Sequence, residues 1–326
     1  FPNKLETVQK ELDGVYHHSE LANNLHSESI IKQDMLFWHY AYGFTFNEYV
    51  CYRFYEKPND ERKRFYSDRG IICLCYDVND LRSMELLNDK AETYRLMKDY
   101  YKREAISITS EADYDNFCYF ADKHKVFCKK LVREACGRSV ELIDLANIIT
   151  NREDLFHHFL LEGKTILEEV VVQSDDIAQL NKTSVNTLRC ITLNNKDQIV
   201  APFFFMKAGR DGSFIDNGAA GGLLIAVDKK TGILGSAIDE YGTCYSKHPD
   251  NGLQLQGFQL PDWEQASQLC CEMAKKFPKC GIIGWDLAHT DQGWVLIEGN
   301  SMTEAIGPQC TQQRGMREEI DTFFNR

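Results

Sequence analysis

The stretch that most constrains this chain is residues 284–300, GWDLAHTDQGWVLIEGN. Residues 281–287 and 294–298 read as strands, joined by polar residues that include Asp291 and Gly293. That makes a hairpin. With its turn centred near Gln292, Asp286 and Glu298 fall opposite each other, and like charges facing across two strands repel unless something positive stands between them. A divalent cation is one resolution. Asn300, two residues beyond Glu298, projects to the same face of a continuing strand and adds an amide oxygen. Two carboxylates and an amide oxygen form a hard-cation donor set, suited to Mg²⁺ shared with phosphates rather than to zinc. The other resolution is an edge hairpin with both acids in water, and the spacing alone leaves the two open.

A chain of 326 residues suits a two- or three-lobed enzyme with a sizeable core. Its net charge of -12 argues against a protein whose main partner is nucleic acid or an anionic membrane. The longest clear apolar run, residues 199–206, holds Pro202 and has the length of a strand, so no membrane span is expected. Phe1-Pro2 lacks both an initiator Met and a signal-peptide pattern, which reads as a trimmed chain. The 12 cysteines are scattered, and no C-x-x-C pair has a matching second pair, so a zinc site is not expected. Reduced, mostly buried thiols in a cytoplasmic protein fit this usage, which makes the Asn181-Lys182-Thr183 sequon incidental.

Residues 4–80 read as helical, with Phe37, Trp38, Tyr40, Tyr42, Phe44, Phe46 and Tyr49 crowded into a prospective core. Residues 56–68 alternate charges around Pro58 and read as a solvated boundary that includes Arg62, Lys63 and Arg64. From Leu87 the pattern becomes mixed. Leu87, Ala91, Tyr94, Met97 and Tyr101 share a helical face, capped by Asn88 or Asp89. Ser110 and Asp113 open a second helix, and residues 125–132 and 139–145 read as strands. A third helix runs from Asn151 to Gly163. Strands follow at 165–172, 185–193, 198–206, 223–227 and 233–238, with a short helical piece at 174–180. An amphipathic helix at 262–277, bracketed by Pro261 and Pro278, precedes the hairpin. Helices and largely antiparallel strands predict α+β lobes with a ligand cleft between them.

Four features line up with the hairpin, and together they resemble the ATP-grasp superfamily. Asn88-Asp89-Lys90 opens a helix as that family's phosphate-binding GDK element does. The strand VFCK, residues 126–129, followed by Gly137-Arg138-Ser139-Val140, resembles its strand lysine and flexible glycine loop. The loop departs from the K-P-x-x-G-x-x-G-x-G-V form: Lys130 stands where proline is usual, and Gly137 is its lone glycine. Fewer bare backbone N–H donors for phosphate follow. Lys129 is the preferred phosphate lysine, with Lys125 and Lys130 left open. Ile166-Leu167-Glu168-Glu169-Val170-Val171 resembles the hinge that reads adenine through main-chain groups, by match at Glu169 and Val171. Glu168 belongs to the same acidic pair, and Asp176 matches a ribose-contacting position. Asp286, Glu298 and Asn300 match the D…E-x-N magnesium motif.

Within that superfamily the strings at 184–189, 221–228, 247–249 and 257–261 resemble the sugar-transfer-associated ATP-grasp proteins, which occur with bacterial polysaccharide gene clusters. The resemblance implies a helical N-terminal region (1–85), a small lobe (86–164) and a large lobe carrying the metal site (165–326). It implies ATP and Mg²⁺ as cofactors, with Lys90 and Lys129 on the phosphates and Arg189 facing phosphate or an acyl-phosphate. The activity implied is an ATP-dependent carboxylate–amine ligase in glycan biosynthesis, acting on small-molecule or sugar-linked acids and amines. A kinase acting on a hydroxyl and a non-catalytic nucleotide-binding regulator are the alternatives. His248 sits before Pro249 in a loop and reads as exposed, with an approach to the second substrate as the alternative. No Ser/His/Asp or Cys/His set competes for a nucleophilic role.

Overall fold

The computed structural model describes residues 2–23, 27–133, 140–210, 212 and 221–326. Helices fill the first hundred: α1 (Pro2–His18), α2 (Glu28–Tyr42), α3 (Phe46–Cys51), α4 (Asn59–Arg62), α5 (Asp68–Val78), α6 (Leu81–Asn88) and α7 (Lys90–Tyr101). Their starts are set by side-chain caps. Ser27, Ser67, Asp80 and Asp89 each accept a first-turn backbone N–H, and Thr45 with Glu48 forms a reciprocal capping box. Four of the seven aromatics in that run become core: Trp38, Phe44, Phe46 and Tyr49 are buried together with Tyr52 and Phe54. Phe37, Tyr40 and Tyr42 stay exposed, because aromatics this closely spaced on one helix cannot all face inward. Arg62, expected in water, is buried and pairs with Asp34 at 2.7 Å.

The small lobe is built from β1 (Ala105–Ile108), α8 (Tyr114–Lys123), β2 (Val126–Leu131), β3 (Glu141–Asp144), α9 (Arg152–Glu162) and β4 (Thr165–Glu169). Its antiparallel sheet runs β1-β4-β2-β3. Phe117, Phe120, Phe156 and Phe159 from α8 and α9 pack on Phe127 and Leu167 of the sheet. A short helix, α10 (Asp175–Ala178), leads into the large lobe.

The large lobe holds β5 (Thr187–Asn194), β6 (Ile199–Ala208), β7 (Leu223–Val227), β8 (Leu234–Ile238), β9 (Cys244–Tyr245), α11 (Trp263–Ala274), β10 (Ile282–Thr290) and β11 (Gly293–Asn300). Helices α12 (Ile306–Gln312) and α13 (Arg317–Phe324) close the chain. The sheet order is β11-β10-β5-β6-β7-β8-β9, every pair antiparallel. One face carries Leu188, Met206, Ile225, Trp285 and Leu296, buried against Trp263, Cys270 and Met273 of α11 and against Leu87, Met97 and Tyr101. Helix α7, read from sequence with the small lobe, thus packs on the large one.

The opposite face is apolar at both flanks. Phe205, Leu224 and Ile238 lie under the aromatic core of α2 and α3. Ile191, Leu193, Phe203 and Ile282 lie under Ile71 and Leu74 of α5 and Ile320 of α13. Strand alternation then sets the charged residues between these flanks. Among the described residues no helix is long and apolar enough to cross a membrane.

Candidate active site

The hairpin forms with Asp286 and Glu298 as direct cross-strand partners and Gly284 opposite Asn300. The route differs from the spacing argument. Thr290 pairs with Gly293, so the two-residue turn is Asp291-Gln292, and a register shift between Asp286 and Leu287 absorbs Ile297. A tight turn without that shift would put Asp286 opposite Ile297; the bulge restores the acidic pair. Gly293 takes φ 81°, the left-handed conformation this turn needs.

The positive charge beside Asp286 comes from the protein itself. Asp286 is 3% exposed, and Arg189, its register partner on β5, grips it with Nε to Oδ1 at 2.6 Å and Nη2 to Oδ2 at 2.8 Å. Lys207 Nζ stands 3.0 Å from Oδ1. Burial alone would push this carboxyl up, but the Arg189 and Lys207 charges outweigh it and hold it well below the ordinary range. Arg189 Nη1 also reaches Glu304 Oε1 at 3.2 Å, so carboxylates engage all three guanidinium nitrogens. The family resemblance puts Arg189 on phosphate; in the structure its first partners are acids. Glu298 remains half-buried on the edge strand β11.

Asn300 Nδ2 lies 3.5 Å from Asp286 Oδ2 and 3.4 Å from Glu298 Oε1, so the three side chains meet, with the amide nitrogen rather than its oxygen toward the carboxylates. Among the described residues no group of three His, Cys, Asp or Glu could hold a metal by itself. Two carboxylates and an amide oxygen are hard donors, which in kind fit a magnesium ion that takes its other ligands from water or phosphate. Glu298 and Asn300 open onto a recess of about 210 Å³ lined also by Asn88, Lys90, Tyr101 and Arg133. The backbone N–H of Lys90 donates to Val132 O at 3.2 Å, which brings the α7 start beside the end of β2.

The two strand lysines face opposite ways. Lys129 shares a side of β2 with Phe127, is 1% exposed, lies over the Phe159 ring, and pairs with Glu162 and Glu141. That turns it toward α9, away from the Glu298 recess, against its expected place on phosphate. Lys130 lies on the other side and pairs with Glu168 Oε2 at 3.0 Å. The same oxygen accepts from Arg103 Nε at 3.0 Å and Nη2 at 2.5 Å. Burial opposes ionisation of Glu168, yet the Lys130 and Arg103 charges bring it down to about 2. Arg103 Nη1 donates to Leu296 O at 2.6 Å, tying the small-lobe sheet to the strand that carries Glu298.

In the hinge the Glu169 N–H is already donated to Glu104 O at 2.9 Å, so of its main-chain groups the carbonyl is the one suited to a ligand. Val171 is half-buried beside a recess of about 190 Å³ lined by Arg103, Val170, Val172, Asp291 and Val295. Asp176 lies exposed in α10. Across the cleft side of the small sheet, Val126 and Leu142 are exposed apolar residues. The loop around Gly137, with Arg138 and Ser139, lies outside the described residues. His248, read as exposed, is 1% exposed and bonds Gly209 O at 3.1 Å.

Sequence reasoning missed Lys207, Glu304 and Arg103 and undervalued Lys130. For Lys207 and Lys130 the signal was present: a lysine in an otherwise apolar strand has to face a counter-charge. Glu304 and Arg103 lie outside strands, where periodicity is silent. A Ser174–His289–Asp262 chain also exists, with Ser174 Oγ 2.8 Å from Nδ1 and Asp262 Oδ2 3.1 Å from Nε2. It joins the starts of α10 and α11 to the end of β10.

Two antiparallel α+β lobes, with an acidic hairpin at the edge of the larger one and a lysine-bearing strand in the smaller, make up the ATP-grasp fold. The chain belongs to the sugar-transfer-associated ATP-grasp family, whose model matches residues 74–324. Among solved structures it is similar to the D-alanine–D-alanine ligase from Coxiella burnetii, at 9% identity and TM-score 0.48, over 79% of this chain and 65% of that one. The D-alanyl-alanine synthetase A from Vibrio cholerae matches at 10% identity and TM-score 0.46, over 75% of this chain and 65% of that one. The VanG D-Ala:D-Ser ligase from Enterococcus faecalis matches at 13% identity and TM-score 0.45, over 76% and 64%. The chain thus spans just under two thirds of the length of these ligases. No curated protein sequence matches it.

Proposed function

We propose that this protein is an ATP- and Mg²⁺-dependent carboxylate–amine ligase that forms an amide through an acyl-phosphate, on glycan or glycan-precursor substrates in the bacterial cytoplasm. The observation that carries the reading is the row Lys207–Arg189–Asp286–Glu298 across four neighbouring strands, ending at the recess that holds Lys90 and Asn300. It is a preorganised band, two bases followed by two acids, at the wall of a cleft, and fixed charges of this kind are most of what phosphoryl transfer asks of a protein.

In this reading the adenine lies against Val126 and Leu142, with the Glu169 carbonyl and the Val171 N–H on its edge and Asp176 near the ribose. Lys130, in place of Lys129, and Lys90 neutralise the phosphates. Magnesium bound by Glu298, Asn300 and Asp286 would screen charge on the transferring phosphoryl group. Lys207 and the remaining N–H donors of Arg189 hold the acyl-phosphate away from water. The glycan assignment rests on the family's description as sugar-transfer associated.

The test is incubation with ATP, Mg²⁺ and pooled acids and amines, read by mass spectrometry. Amine-dependent release of ADP and phosphate with a new amide is expected. A stable phosphorylated alcohol would replace the ligase with a kinase, and nucleotide binding without turnover would replace it with a regulator.

A further inference from the structure

The segment after β11 is held by groups from the N-terminal helices. Ser301 Oγ donates to Asn88 Oδ1 at 2.8 Å, and Asn79 Nδ2 donates to Ser301 O at 2.8 Å. Ala305 N donates to Asp68 Oδ1 at 2.7 Å. Ser301, Thr303 and Ala305 are wholly buried, while Glu304 between them keeps a side chain that is 32% exposed. The fold therefore clamps the backbone on both sides of Glu304 and presents its carboxylate. Oε1 faces Arg189 Nη1; among the described residues Glu304 makes no other hydrogen bond or ion pair, which leaves Oε2 free to accept.

Arg189 does not need this second acid, because Asp286 already holds it in two-point contact. Among the described residues, the charged groups reached from Glu304 directly or through Arg189 are Arg189 on β5, Asp286 on β10, Lys207 on β6 and Asp68 on α5. Counting Glu304 itself, that is three acids to two bases, with Glu298 apart in the recess that also holds Lys90 and Arg133. A phosphate arriving on Lys207 and Arg189 would bring more negative charge, and its magnesium would be held by Asp286, Glu298 and Asn300 rather than by Glu304, so the ligand that suits Glu304 is a second cation. The ligase reading supplies one: an amine substrate arrives as ammonium and must lose a proton before it can attack.

We propose that Glu304 binds the ammonium of the acceptor amine and takes its proton. This inference rests on the ligase reading above. The ammonium passes one proton to Glu304 Oε2, and the neutral nitrogen attacks the acyl carbon. The C–N bond forms as the C–O bond to phosphorus breaks, and the departing phosphate keeps that electron pair. The remaining excess proton on nitrogen goes to the phosphate, so amide, hydrogen phosphate and protonated Glu304 result.

The experiment compares wild type with Glu304→Gln in two assays. Hydroxylamine, neutral at pH 7.5, traps the acyl-phosphate from a pool of the twenty amino acids and common uronic acids as hydroxamate, with no ammonium to bind. The amine assay uses a pool of amino acids and amino sugars with whichever acid gave hydroxamate. In Glu304→Gln, hydroxamate formation should stay within about threefold, while kcat/KM for the amine falls about 100-fold. The amine defect should shrink as pH approaches the amine's own pKa, where neutral amine is supplied by the buffer. Equal loss in both assays, or loss in neither, overturns the assignment and leaves Glu304 a support for Arg189. Absence of hydroxamate with wild type overturns the ligase reading itself, and this inference with it.

Discussion

Arg189 Nε and Nη2 meet the two oxygens of Asp286 at 2.6 and 2.8 Å, with both residues below a tenth exposed. A buried pair of this kind adds little over a well-packed apolar pair, yet is costly to break from one side. Asp286→Asn leaves Arg189 and Lys207 facing each other without their shared counter-charge. It should lose about 3–5 kcal/mol of stability along with activity. Glu298→Gln, on the half-exposed edge strand, should lose turnover while its stability changes by about 0.5 kcal/mol or less. Urea unfolding of the two variants beside Mg²⁺-dependent ADP release checks the contrast; equal destabilisation would show that the acids are not divided this way.

The two strand lysines give opposite expectations. Lys130→Met should raise the KM for ATP at least tenfold, since it removes a charged donor on the cleft side and leaves Glu168 to Arg103 alone. Lys129→Met should leave that KM unchanged and shift stability by about 1 kcal/mol, because its partners Glu141 and Glu162 keep access to water. A rise in KM for Lys129→Met with none for Lys130→Met would return the phosphate role to Lys129.

Those lysines also mark how far the sequence could be read. The hairpin, the caps at Asp89 and Asn151, and the α+β lobes were legible because they depend on local spacing and turn chemistry. Neighbouring lysines on a strand point to opposite faces, and which face meets the cleft is decided by where Phe127 packs on α8 and α9, a long-range fact. The counter-charge of Asp286 was likewise out of reach, since Arg189 is 97 residues away in sequence and arrives only through the β5–β10 register. Strand β1 passed unnoticed because four residues flanked by charge give too short a period to register.

A second buried acid carries a pH signature. Glu48 is 0% exposed and accepts from Thr45 N and Asp68 N, each at 2.7 Å. Burial, followed by the neighbouring charge of Asp68, pushes it from an ordinary 4.5 up to about 8. Between those values the unfolded chain has released this proton while the folded chain keeps it, so stability falls as pH rises through the window. The slope from one such group is at most about 1.4 kcal/mol per pH unit. Glu48→Gln removes the titration and should gain on wild type steadily from pH 5 to pH 8 in urea midpoints. A difference that stays flat across that range would mean Glu48 ionises normally.

Gly284 tests whether the charged row depends on close packing beneath it. It sits opposite Asn300 on the face that carries Asp286, and a Cβ there would stand 2.6 Å from Thr303 Oγ1 and 3.4 Å from Arg189 Cδ. Thr303 is wholly buried and clamped between Ser301 and Ala305, so it cannot step aside without moving Glu304. Gly284→Ala should therefore cost about 1–3 kcal/mol through overpacking. It should also lower turnover more than its stability loss explains, because a misplacement of about 1 Å at Arg189 or Glu304 disturbs both the phosphate and amine positions. Activity measured well below the melting transition separates the two effects. Full turnover in a destabilised Gly284→Ala protein would show that Arg189 is positioned by Asp286 alone.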